Sequence, residues 1–277
     1  MKKRVPKFIA ISGAALLLIA LPAFAADSDT LLKHILNGDQ RSAANKARDQ
    51  YRHPLETLDF FGIKPDMTVV EIFPGGGWYT EILALFLKDH GTYYAAGTDP
   101  DSESKYARKT AERFKDKVDG NKDIYAKVNI TVLAPPDKTA IAPPGSADMV
   151  LTFRNIHNWL NGGYADEVFA AMYKALKPGG ILGVVEHRGD PKTPQDPKAK
   201  SGYVNQDYAI RLAEKAGFKF IAGSEINANP KDSKDYPKGV WTLPPTLRLK
   251  DADRDKYISI GESDRFTLKF ARPSHPW

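Results

Sequence analysis

No cysteine occurs in the 277 residues. That excludes disulfides, thiolate nucleophiles and thiolate-bound metals, so packing alone must hold the fold. There is no Gly-x-Ser-x-Gly elbow and no phosphate loop closing on Lys-Ser or Lys-Thr, which removes the commonest hydrolase and nucleotide-hydrolase readings. The apolar run Phe8 to Leu21 is too short to span a bilayer comfortably. A large charge excess is also missing once the amino-terminal cluster is set aside. Lys2, Lys3, Arg4 and Lys7 account for four of the formal +6, which leaves +2, so nucleic-acid binding is not expected.

Those four charges, the apolar run and Ala23-Phe24-Ala25 together have the pattern of a secretory signal peptide over residues 1–25. The expected mature chain begins at Ala26 and has no stable membrane anchor, since no cysteine is present to carry a lipid. Only Lys3-Arg4 stands where a twin arginine would be, so the expected route is export of the unfolded chain, to the periplasm in a Gram-negative cell. About 250 remaining residues are enough for one cored domain.

The rest is organised around Val69 to Leu83. Val69, Val70 and Ile72 predict a strand buried on both faces, Gly75, Gly76 and Gly77 a turn with close backbone approach, and the following residues a helix. Residues 26–53 read as a helical arm whose Arg41, Arg48 and Arg52 either reach an anion or decorate a solvated face. Beyond them, strands at 68–73, 92–96, 127–133, 148–153, 181–187, 219–226 and 266–270 alternate with helices. This predicts an α/β, Rossmann-like open sheet of about seven strands with helices on both faces. Residues 177–180 read as a sharp turn and 227–262 as a long insert in the domain 54–273, roofing the glycine turn together with the loop 189–202.

In order of pieces the chain resembles the class I S-adenosylmethionine-dependent methyltransferases. The matching parts are Glu71 with the glycine turn, the Asp148-Met-Val-Leu strand, Leu176-Lys-Pro-Gly-Gly180 and a final strand expected to be antiparallel. Val-Glu-Ile-Phe-Pro-Gly-Gly-Gly-Trp-Tyr-Thr, Thr-Phe-Arg-Asn-Ile-His-Asn-Trp, Gly-Val-Trp-Thr-Leu-Pro-Pro-Thr and Ile-Gly-Glu-Ser-Asp-Arg look like an exported branch of predicted methyltransferases. The resemblance implies S-adenosylmethionine as cofactor, with Glu71, Phe73, Gly75, Gly76, Gly77 and Asp99 around it. Two places depart from the pattern: Phe73 stands at a usual glycine, and Gly97 stands where an acid normally holds the ribose. Asp99 either takes over that contact or caps the next helix.

After the fourth strand, Arg154, Asn155, His157, Asn158 and Trp159 either meet substrate or form a helix-start turn around a packed tryptophan. His157 and His187 are candidate bases near neutral pH, and Tyr79, Trp241 and Arg265 are candidate substrate or lid residues. His187 with Glu186 is a thin basis for a metal, and none is expected. Two functions stay open: an exported methyltransferase acting on a small molecule, or a protein of the same fold that binds or converts another small ligand in an aromatic crevice of Trp78, Tyr79, Trp159 and Trp241.

Overall fold

The computed structural model describes residues 23–274, so the expected leader over 1–22 lies outside the described residues. The arm contains α1 (Ala23–Asn37), α2 (Ala43–Lys46) and α3 (Asp49–Arg52), followed by α4 (Pro54–Phe61). Pro54 opens α4 at a position that needs no backbone donor, and Gly62 closes it at φ +81°. The core elements then follow as β1 (Thr68–Ile72), α5 (Thr80–Phe86), β2 (Thr92–Gly97), α6 (Lys105–Gly120), α7 (Lys122–Tyr125), β3 (Val128–Val132) and β4 (Ala147–Phe153). The second half contains α8 (Ile156–Gly162), α9 (Ala165–Ala175), β5 (Leu176–His187), α10 (Gln206–Lys215), β6 (Lys219–Ser224), α11 (Arg254–Ile260) and β7 (Arg265–Ala271).

The seven strands lie in the order β3-β2-β1-β4-β5-β7-β6, and β7 runs antiparallel to both neighbours. β1 is flanked on both sides by parallel partners, β2 and β4, which its β-branched run anticipates. Successive residues of β1 serve opposite cores. Val70 and Ile72 join the layer beneath α8, α9 and α10, whereas Val69 joins the layer beneath α1, α4 and α5. Each fully buried side chain of this size contributes about 1.5–3 kcal/mol. A charge at Val70 would therefore forfeit both that burial and the desolvation of the new group.

Three expectations change. Residues 177–180 are not a turn before a strand but an excursion within β5: Leu176 pairs with Ala147, and the ladder resumes at Ile181 opposite Met149. Residues 227–262 are not structureless, since they hold a 3-10 turn at Gly239–Thr242 and the helix α11. The helix after the glycines starts at Thr80 rather than at Trp78. No described helix is long and apolar enough to cross a membrane.

Candidate ligand cleft and adjoining charged cluster

β1, β2 and β4 are parallel, so the segments that leave their carboxyl ends gather at one edge of the sheet. There they surround a cleft of about 1120 Å³, whose lining includes Phe73, Gly75, Gly97, Asp99, Asn155 and Asn158. A Cβ added at Gly75 would meet nothing within 4 Å, and one at Gly97 only the Thr131 carbonyl at 4.0 Å. These glycines are not dictated by packing against neighbours; they leave backbone open to the cleft. Gly77 differs, because its Cβ would lie 2.9 Å from the Lys117 side chain, at φ +78°. Phe73 takes the left-handed conformation at φ 48°, which costs a non-glycine residue roughly 1–2 kcal/mol. Its ring remains on the cleft wall, where the family pattern has a glycine.

Asp99 sits at the cleft with its carboxylate engaged by Lys138 at 2.8 Å and by the Asp101 backbone N–H at 3.0 Å. The Lys138 bond first, then the backbone bond, lower its pKa. It caps a local turn, and Ser104 instead caps α6. The Asn155 amide donates to the Ile72 carbonyl at 2.9 Å and to Thr152 Oγ1 at 3.2 Å, which ties β1 to β4 at the cleft floor.

Several candidates lie elsewhere. Glu71 is buried behind the glycine turn, accepting from Thr80 Oγ1 at 3.1 Å and from the Tyr93 hydroxyl. Burial raises its carboxyl to about 7, against the opposing effect of those two bonds and of Arg154. Tyr79 stacks on Phe153 with ring centroids 3.6 Å apart, and burial raises its phenol to about 12. Trp78 lies between the Arg41 and Arg52 guanidiniums, 5.0 and 4.8 Å from its ring, and donates to the Asn45 carbonyl. Trp159 is fully buried against Phe169. The expected four-aromatic crevice therefore does not form: Trp78 fixes the arm, Tyr79 and Trp159 fill cores, and only Trp241 approaches the candidate base.

That base stands in a charged side-chain cluster beside the cleft. On the turn entering α8, Asn155 and Asn158 serve the cleft, while His157 pairs with Glu186 and its ring lies 6.0 Å from Trp241. His157 Nδ1 is 3.1 Å from Glu186 Oε1, and Glu186 also accepts the His187 backbone N–H at 2.8 Å. A carboxylate only accepts, so Nδ1 carries the proton and Nε2 keeps the free lone pair. The His187 ring lies 5.4 Å from that of His157, and its Nδ1 meets Ser263 Oγ at 2.5 Å. Burial, then His157, Arg265, Arg154 and Arg52, hold His187 well below the usual imidazole range, so it is neutral at neutral pH.

Behind the histidines lies Glu262, which accepts from Arg48 at 2.6 Å, Arg52 at 3.1 Å and Arg265. Burial raises the carboxyl, but Arg265, Arg52 and Arg48 outweigh it and hold it well below the ordinary carboxylate range. Arg154, at φ 61°, makes no side-chain hydrogen bond or ion pair among the described residues. Of the arm arginines that either reach an anion or decorate a solvated face, Arg48 and Arg52 reach Glu262, which the sequence offered only within the motif Ile-Gly-Glu-Ser-Asp-Arg. Ligand atoms of His157, Glu186 and His187 lie within 4.8 Å of one another, a separation a metal could bridge. The surrounding arginines make the location costly for a cation.

No protein-family model and no curated protein matches the chain. Solved structures do. A SAM-dependent methyltransferase from Aquifex aeolicus superposes with TM-score 0.54 at 15% identity, covering 88% of this chain and 98% of that one. A Galdieria sulphuraria protein assigned as a sarcosine dimethylglycine methyltransferase gives 0.54 at 12%, covering 90% and 99%. The [4+2]-cyclase SpnF gives 0.54 at 13%, covering 91% and 94%. At these identities the likeness is one of fold: the chain has the Rossmann-like fold of S-adenosylmethionine-dependent methyltransferases.

Proposed function

We propose that this protein is a methyltransferase that takes a methyl group from S-adenosylmethionine and passes it to a small molecule. The observation that carries the reading is the cleft itself: open glycine backbone at Gly75 and Gly97, Asp99 on one side, Asn155 and Asn158 on the other, and a carboxylate-held histidine next door. These residues fit the cofactor in size and donor chemistry, with Asp99 in reach of hydroxyls and the Asn155 Oδ1 free to accept. When bound, the cofactor supplies a methyl group activated on a sulfonium. The chain holds the reactants in line, which accounts for much of the rate in such transfers. His157 Nε2 takes the proton that an O–H or N–H acceptor must release, and Glu186 steadies the imidazolium that results.

Export is part of the proposal, supported by the charged head, apolar run and Ala23-Phe24-Ala25. Fractionation of producing cells should find a chain beginning at Ala26 outside the cytoplasm; an intact chain starting at Met1 in the cytoplasm would dismiss that part. The second reading, another small ligand on the same fold, is favoured by Phe73 on the cleft wall and by Gly97 in place of an acid. Calorimetric titration with S-adenosylmethionine and S-adenosylhomocysteine separates the two. Micromolar binding, about −8 kcal/mol, supports the methyltransferase, whereas no heat and no thermal shift at millimolar ligand leaves the second reading.

A further inference from the structure

The charged cluster behind His157 holds more positive charge than its own residues neutralise. Arg48, Arg52 and Arg265 all bond to one carboxylate, Glu262, and Arg154 is left over. Glu186, the other carboxylate at hand, is occupied by His157 and by the His187 backbone. Glu71 lies within electrostatic reach of Arg154 but is pushed up to about 7, so it carries only part of a charge at neutral pH. Asp264 is engaged by Lys234 at 3.0 Å and Asp232 by the Tyr203 hydroxyl at 3.0 Å.

Arg154 lies within electrostatic reach of Arg265, Glu262, Tyr79 and Arg48, and burial then Arg265 bring it down to about 10. Yet it keeps partial access to solvent, as does His187. A half-buried guanidinium with no partner of its own is a ready donor for an anion arriving from solution. Its backbone is strained too, at φ 61°, so local preference does not account for it.

We propose that this cluster captures an anionic group of carboxylate or phosphate size, carried by the methyl acceptor, with Arg154 as its principal hydrogen-bonding partner. Only the word acceptor rests on the methyltransferase reading; anion capture does not. Residue alternation on the α8 turn separates the two ligands: Asn155 and Asn158 line the cofactor cleft, whereas Arg154 lies among the arginines and His157 against Glu186. An anion held at Arg154 would place the rest of its molecule beside His157 Nε2, where a proton must leave. The planar fork of Arg suits either anion through two parallel hydrogen bonds.

The test is titration of the purified protein with inorganic phosphate and with benzoate, followed by calorimetry and thermal shift, with and without saturating S-adenosylhomocysteine. At least one anion should bind saturably in both conditions. Arg154→Met should weaken it about 10- to 100-fold while leaving S-adenosylhomocysteine affinity within about threefold, and Arg154→Lys should retain part of it. Because the substitution removes a half-buried charge that has no partner, Arg154→Met should melt no lower than the parent protein. Should it fail to fold, the Lys variant and the parent titration still decide. Absence of saturable binding up to tens of millimolar, binding indifferent to Arg154, or displacement of the anion by S-adenosylhomocysteine would each overturn the proposal, the last by giving the guanidinium to the cofactor. Arg154-dependent anion binding in a protein that ignores S-adenosylhomocysteine would support anion capture and remove the methyltransferase reading instead.

Discussion

His157 and Glu186 form the pair on which the chemistry depends, because the carboxylate fixes which ring nitrogen is free. Removing the imidazole with His157→Ala should cut turnover by roughly 10²–10⁴-fold, the usual worth of a positioned base, with S-adenosylhomocysteine affinity nearly unchanged. Glu186→Gln should lower turnover less, since an amide can still accept from Nδ1–H but no longer stabilises the imidazolium. Steady-state kinetics beside calorimetry reads both; equal loss of binding and turnover would assign His157 to packing. Glu71 carries a pH prediction. Its folded pKa of about 7 lies above the ordinary carboxyl value of 4.5, so the folded state binds more protons between these limits. Stability from this group is full below 4.5 and is lost as pH rises through 7, by at most about 3 kcal/mol. His187 works the other way: its folded pKa lies below 6.5, so its contribution is present above that and fades as pH falls. Denaturant titrations of Glu71→Gln from pH 5 to 8 should lack the alkaline loss that the parent shows, and parallel curves would refute the assignment.

At the scale of elements, the turn between β1 and α5 contains glycines that do different work. Gly77→Ala puts a methyl group 2.9 Å from Lys117 at φ +78° and should cost roughly 1–2 kcal/mol of stability. Gly97→Asp adds a side chain in open space, so melting should hold while S-adenosylhomocysteine binds several-fold more tightly through the restored acid; no gain would mean that the ribose lies elsewhere or that Asp99 already serves it. The β1–turn–α5 unit and the alternation of strands and helices were legible because a strand buried on two faces needs the composition of Val69 to Ile72, and glycine announces the turn. α8 was legible only as a helix-start turn around Trp159, not in its extent: Ile156–Gly162 is seven residues with Asn, His and Trp, too short for a period to show. The excursion inside β5 was hidden because Lys-Pro-Gly-Gly chemistry describes the turn correctly but says nothing of Leu176 pairing across it. The cleft side of the site could be guessed from Gly75, Gly97 and Asn155, all next to strand ends. The charged cluster could not, since Arg52 meets Glu262 across 210 residues and local sequence carries no record of such a pairing.

At the scale of the molecule, Glu262 joins three distant parts of the chain. Arg48 and Arg52 come from the arm, Arg265 begins β7, and Glu262 itself ends the segment that contains α11. The arm is also held by Trp78 between two guanidiniums and by Asn45 on Glu81. Removing the carboxylate with Glu262→Gln leaves three clustered cations with no counter-charge, a loss in the range of 3–5 kcal/mol for breaking a buried pair. It should lower the melting temperature and loosen the arm before the sheet, because packing of β1 between β2 and β4 does not depend on it. Limited proteolysis should then cut first within residues 38–53, while hydrogen exchange of β1 stays slow. Since the folded pKa of Glu262 lies far below its ordinary value, the carboxylate stays charged in mild acid and its contribution fades only well below 4.5, so the parent protein should acquire the same arm cleavage only in strong acid. The variant should show it already at neutral pH. If the parent and variant arms resist protease equally at pH 7, the hub is dispensable and the Trp78 and Asn45 contacts hold the arm; if the variant releases the arm, the cluster's positive charge is what the tether keeps in place beside His157.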